Sequence, residues 1–244
     1  MLQGLYAAAS GMEAQQNQLD AVSNDLANVD TAGYQGEIVG FQDLLYTSGG
    51  NSTGTNVATG AGTASGIIGR SDEQGSIQQT GRSLDVAIQG SGYLEVRRPD
   101  GTIGLTRNGA LEMNSKGQLT NGQGMLVQPP ITIPHGTDPS DVTIEGNGNV
   151  VVKGQTLGQL KLVTVPGPNG LVADGDSIFS ATAASGAIRA ANGVTLQQGA
   201  LEGSNVDMGR AMSRMMTAER SYQMSSNAVQ YQDQMLQIAN QIKA

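Results

Sequence analysis

An α+β protein is predicted, with helices at the two ends of the chain and an antiparallel β-rich domain between them. Three observations carry this. Apolar residues recur at spacings of three and four near both termini, the helical period. The stretch between them holds short β-type runs broken by turn dipeptides. Glycine is abundant, at 35 of 244 residues, while aromatics make up only 3%, a balance that favours many tight turns over a dense catalytic core. An apolar content of 38% still supports at least one genuine core, in one large domain or two smaller ones.

The N-terminal element is read from Leu5, Ala8, Met12, Gln15, Leu19, Val22, Leu26 and Val29, a coiled-coil seam. A second stripe, Ala7, Ala14 and Ala21, is small enough to admit another helix closely on a different face. The helix is expected to stop between Asn28 and Gly33, where Asn, Asp and Gly cluster. At the far end Asn205 or Asp207 is the expected N-cap. Beyond it Met208, Met215, Tyr222, Val229 and Leu236 recur every seven residues, flanked by Ala211, Ala218, Ser225 and Ala239. At 1.5 Å per residue the two helices would be roughly 40 and 50 Å long. Their charges complement: no Lys or Arg precedes Arg70, whereas Arg210, Arg214 and Arg220 stand in the last helix. Packing of the two against each other, within or between subunits, follows.

Four segments are expected: 1–36, helix and turn, joining 205–244 in a coiled-coil tube domain; 37–80, a Gly/Thr-rich connector that is flexible or a β-hairpin; 81–204, the β-rich domain; and 205–244, the last helix. Turn signals in the β domain are Pro99-Asp100-Gly101, Asn108-Gly109, Asn121-Gly122, Asn147-Gly148 and Asn169-Gly170. Asp85–Gly90 and Asp141–Gly146 echo one another, as a repeated strand-turn-strand element or a hairpin solution reached twice. Asn51-Ser52-Thr53 matches a glycosylation triplet and is read as chance.

Composition excludes several classes. A net charge of −8 repels phosphate backbones and anionic lipid, so neither nucleic acid nor membrane insertion is expected. The acidic first quarter lacks the basic region of a secretory signal, and no apolar run approaches the roughly 20 residues that span a bilayer. Without cysteine there are no disulfides or thiolate sites. One histidine, His135, cannot build a zinc site alone. Gly90-Ser91-Gly92 and Gly146-Asn147-Gly148 lack the Lys-Ser/Thr and helix start of a phosphate loop. Glu95, Asp100 and Glu112 could pair as glycosidase carboxylates only by a spacing the sequence does not fix. No catalytic, cofactor-binding or metal-binding residue is nominated.

The motifs themselves are more specific. Ser23-Asn24-Asp25-Leu26-Ala27-Asn28-Val29-Asp30-Thr31-Ala32-Gly33-Tyr34 resembles the signature of the bacterial flagellar rod and hook proteins. Three further matches follow in the family's order: Phe41-Gln42-Asp43-Leu44-Leu45-Tyr46; Leu84 to Tyr93 with Thr106-Arg107-Asn108-Gly109; and Gly199 to Asp207. Within the family the chain is most similar to the distal rod protein, then to proximal rod and hook-type subunits. It has Gln35 where members often carry Lys or Arg. The resemblance implies a subunit that polymerises into a tube transmitting torque, sited in the basal body outside the cytoplasmic membrane. It implies export by the flagellar type III apparatus without a cleaved signal peptide. The implied partners are copies of itself, other rod proteins, the hook protein and the surrounding ring proteins.

The nominated assembly interface is therefore Leu5, Met12, Leu19, Val22, Asn24, Leu26 and Asn28 with Met208, Met215, Tyr222, Val229 and Leu236. Asn24 and Asn28, one turn apart, would fix register against a neighbour, unless Asn28 merely caps its helix. A secreted β-rich adhesin or carbohydrate-binding module is the reading from a different class. It would need an exposed aromatic platform, for which the β region offers only Tyr93 and Phe179. An enzyme acting on cell-wall polysaccharide is a third.

Overall fold

The computed structural model describes residues 2–44, 47–49 and 57–243. Leu45, Tyr46 and the Asn51-Ser52-Thr53 triplet lie outside the described residues. One helix at each end and an antiparallel β-rich middle make the fold α+β, as the sequence predicts. Helix α1 is Leu2–Ala27 and helix α2 is Met208–Lys243. The chain divides into two compact units: 1–26, 37–68 and 207–244 form a helical unit, and 27–36 with 69–206 form a β unit.

In the helical unit α1 ends where Asn and Gly begin to dominate. Helix α2 starts on Asp207, whose carboxylate accepts the Arg210 N–H at 2.7 Å, so Asp207 and not Asn205 is the cap. That bond satisfies one of the donors a helix start leaves free. The same unit holds two strand pairs, Glu37–Asp43 with Thr63–Arg70, whose last two residues belong to the β unit, and Thr47–Gly49 with Val57–Thr59.

The β unit is built on a nine-stranded sheet. The Tyr93–Arg97 strand lies at its centre, pairing with Ile103–Thr106, Leu126–Val127 and Leu162–Thr164. Smaller sheets pair Val86–Gln89 with Thr195–Gln198 and Ile77–Gln79 with Ala200–Glu202. Val86, Ile88, Leu94, Val96, Leu119, Val127 and Ile133 fill the main core, all fully buried. A second cluster gathers Tyr93, Leu105, Val163 and Phe179.

Turn chemistry is as read at three sites. At Pro99-Asp100-Gly101 the Asp100 carboxylate accepts from Thr102 N and Oγ1, at 2.9 and 2.6 Å, and these bonds hold its carboxyl below the usual range. At Asn121-Gly122 the Asn121 side chain accepts the Met125 N–H at 2.8 Å. At Asn147-Gly148 the glycine takes φ +89° and closes the turn from Val142–Ile144 to Asn149–Val152. The other two turn signals join no hairpin. Asn169-Gly170 lies in a short 3-10 turn, and Asn108-Gly109 is a close backbone crossing. The echoed stretches also differ. Val142–Ile144 forms a hairpin with the strand that follows, whereas Val86–Gln89 pairs with Thr195–Gln198, over a hundred residues away. Local likeness did not carry to pairing, because the partner is set by which strand covers the buried face.

Candidate assembly interface

Two features bear on function, one in each unit. In the helical unit α1 and α2 run antiparallel, with Gly4 opposite Gln232 and Gly11 opposite Ser225. A Cβ on Gly11 would lie 3.7 Å from Ser225 Oγ, and one on Gly4 would collide with the Gln232 amide. The two helices are thus in contact along this line. The alanine stripe, expected to take a helix, takes a strand instead. Ala14 and Ala21 are buried, Ser65 donates to the Ala14 carbonyl at 3.4 Å, and the Thr63 N–H donates to Ser10 Oγ at 3.2 Å. Small side chains admit a backbone with its own hydrogen-bonding groups as readily as another helix.

Among the described residues of α2 the covered positions are Ala211, Met215, Ala218, Ser221, Ser225, Ser226, Val229, Gln232 and Leu236, mostly three or four residues apart. Of the nominated residues, Met215, Val229 and Leu236 are half-buried on this side, Tyr222 lies at its margin and Met208 is exposed. On α1 Val22 is buried, and Leu5, Met12, Leu19 and Leu26 are half-buried. Asn24 is exposed and donates to Glu37 Oε1 at 3.2 Å, beside Asp25, whose carboxylate accepts the Glu37 N–H at 2.9 Å. Asn28 accepts from the Thr31 hydroxyl at 3.2 Å, inside the turn that ends the helix.

The nominated interface residues leave out a second face of α2. Met224, Tyr231 and Met235 are 65%, 67% and 66% exposed, and Ile238 is exposed beside them. Met212 and Met216 stand uncovered on another flank, and Tyr6 of α1 is 72% exposed. Several large apolar side chains in one stretch of helix mark an interaction surface, unlike single exposed leucines. Its signal was present: Met224, Tyr231 and Ile238 also recur every seven residues.

In the β unit the motifs converge on one buried ion pair. The Arg107 guanidinium donates to Glu202 Oε2 at 3.0 Å and to the Gly90 carbonyl at 2.8 Å, and lies 5.7 Å from the centre of the Tyr93 ring. Glu202 also accepts the Gly75 N–H at 3.0 Å, and its backbone carbonyl accepts from Gly33 at 2.8 Å. Burial pushes the Glu202 carboxyl above its ordinary range, while Arg107 and the Gly75 N–H pull it back. Gly33, at φ +67°, sits against the Arg107–Asn108 backbone, where a Cβ would lie 2.5 Å from Asn108 N. Gly109 meets the Val86 carbonyl in the same way. Asn205 accepts the Gly36 N–H at 2.8 Å and donates to the carbonyls of Ser71 and Glu73, both at 2.9 Å. Gln35 is buried, accepting the Tyr93 hydroxyl at 3.4 Å, and its carbonyl accepts from Arg70 at 2.8 Å. Arg70 thus brings a cation beside the signature turn from another segment, stacked over Tyr34 at 5.7 Å.

The groups considered for chemistry stand in different settings. Glu95 is buried and paired with Lys161 at 3.0 Å, Glu112 is exposed on a short strand, and His135 is exposed in a turn. Tyr93 and Phe179 are buried, edge to face at 6.0 Å, so they offer no platform for a sugar. Among the described residues no helix is long and apolar enough to cross a membrane.

Fold and surface together place the chain in the structural class that the motifs resemble. Family models match three segments: flagella basal body rod protein over residues 5–35, flagellar hook protein FlgE/F/G D1 domain over 87–152, and flagellar basal body rod FlgEFG protein C-terminal over 197–242. The flagellar basal-body rod protein FlgG of Caulobacter vibrioides is 40% identical, with 100% of both chains covered. That of Borreliella burgdorferi is 38% identical over 100% of this chain and 99% of its own, and that of Bacillus subtilis 34% over 97% of each. The chain belongs to the flagellar basal-body rod protein family and is a structural subunit of the rod.

Proposed function

We propose that the chain polymerises through α1 and α2 into a helical tube, as the distal rod, and that the tube carries torque from motor to hook. The observation that carries this reading is the uncovered apolar surface of α2. Met224, Tyr231 and Met235 remain about two-thirds exposed after α1 has packed, and adjoining copies supply the missing cover. The heptad spacing of both ends then becomes a coiled-coil tube domain formed by 1–36 and 205–244. Asn24 and Asn28 sit at its edge, with Leu5, Met12, Leu19, Val22 and Leu26 on one helix and Met208, Met215, Tyr222, Val229 and Leu236 on the other. Transmission of torque asks for many distributed contacts and no reactive group. In this reading the partners are other copies, neighbouring rod proteins, the hook protein, the encircling rings and the type III apparatus that delivers the chain.

Electron microscopy of concentrated full-length protein, beside a version lacking residues 1–26 and 207–244, tests the reading. Tubes or fibres are expected from the full chain alone. Fibres from the truncated version, or none from either, would contradict it.

A further inference from the structure

Within one chain α1 and α2 leave different faces uncovered, and their antiparallel register fixes which residues stand at the same height. Starting from Gly4 beside Gln232 and Gly11 beside Ser225, each step up α1 matches a step down α2. Asp20 is thus level with Met216, and Tyr6 with Gln230. The outward line of α1 is Tyr6, Glu13 and Asp20, seven apart and all exposed. The line of α2 that bears Met224 and Tyr231 begins with Arg210, fourteen residues before Met224, and Arg214, one turn further on, stands at the margin of that line; both arginines are exposed. Each face therefore has an apolar end and a charged end, acidic on α1 and basic on α2, at matching heights. Among the described residues Glu13, Asp20, Arg210 and Arg214 make no ion pair within the chain. Asp20 accepts only from its helix neighbour Gln16, at 2.9 Å.

Resting on the polymerising reading above, we propose that the acidic line of α1 in one copy lies beside the arginine-bearing flank of α2 in a second copy at the same height, pairing Asp20 with Arg214 and Tyr6 with Tyr231. Arg214 is two residues from the level of Asp20, about 3 Å along the axis, well within the reach of its side chain. Tyr231 is one residue from the level of Tyr6. The two faces differ, so the contact is heterologous: every copy offers a free α1 line on one side and a free α2 flank on the other. Such a contact repeats without closing on a dimer, which builds rings or helical assemblies. Opposite local charges also give a chain of net charge −8 a specific orientation in which copies attract.

The test uses full-length protein in four forms: unaltered, Asp20→Arg, Arg214→Asp, and the two together. The readout is the concentration at which sedimentable polymer first appears. At about 0.05 M salt each single change is expected to raise that concentration roughly fivefold or more, since attraction becomes repulsion, and the defect should shrink at about 0.5 M. The double form, with the pair reversed, should return to within about twofold of the unaltered protein. Single variants that polymerise like the unaltered chain, or a double form as defective as its parents, would overturn the pairing and leave the polymerising reading standing. An unaltered chain that forms no polymer would overturn both.

Discussion

Replacing Arg107 with alanine is expected to cost the β unit about 3–5 kcal/mol, enough to unfold much of it at ordinary temperature. The size follows from what is left behind. Glu202 is 3% exposed and would keep a buried carboxylate with only the Gly75 N–H to answer it, while the Gly90 carbonyl would lose its donor. An unpaired buried charge is far more costly than the net worth of the pair that contained it. Lysine at 107 should recover part of the loss at most, because its ammonium cannot present a planar fork to Glu202 and Gly90 together while stacking on Tyr93. Denaturant unfolding of the full chain, followed by tyrosine fluorescence, reads the effect. A loss below about 1 kcal/mol would show that the pair is not what joins the motifs.

The second large effect concerns assembly alone. Changing Met224 and Tyr231 together to aspartate should abolish polymer formation while leaving unfolding of the β unit unchanged. Both side chains are about two-thirds exposed in the single chain, so the isolated protein loses little. In the polymer each would forfeit about 1.5–3 kcal/mol of burial, and a carboxylate would enter the contact. Two such losses raise the polymerising concentration by roughly a hundredfold or more. Sedimentation and electron microscopy beside the thermal unfolding profile separate the two outcomes. Polymer at the unaltered concentration would remove this face from the interface. Met215 makes a poorer probe than its place in the seven-residue pattern implies, because it is already half-covered within its own chain.

The elements of the fold were legible wherever local chemistry decides. Period-3.6 runs gave the two helices, and Asn, Asp and Gly clusters gave the end of α1 and three of the turns. Neighbours chosen at long range were not legible. Nothing in Val86–Gln89 announces Thr195–Gln198 as its partner, and nothing in Ala7, Ala14 and Ala21 distinguishes a strand from a helix as their cover. The β-unit junction was half-visible. Its motifs stood out one by one, but Arg107 and Glu202 are ninety-five residues apart, and only the fold brings them to 3.0 Å. Gln35 looked like a departure, yet it is a buried link to Tyr93, and Arg70 supplies a cation beside the same turn. On α2 the strict Met208-to-Leu236 line drew attention to the side that α1 largely covers. The parallel line through Met224 and Tyr231, equally periodic, carries the exposed surface. Periodicity names the faces of a helix; burial tells which of them is still free.

The central claim is that α2 is incompletely buried until other copies cover it. Among its described residues those buried within the chain are small, Ala211 and Ala218, and a long helix with so little tertiary support is marginal in water. Amide hydrogen exchange along 208–243, compared between dilute monomer and assembled protein, tests this most directly. Rapid exchange in the monomer and protection at least about a hundredfold stronger in the polymer are expected. Equal, strong protection in a monomer that never assembles on concentration would contradict the claim.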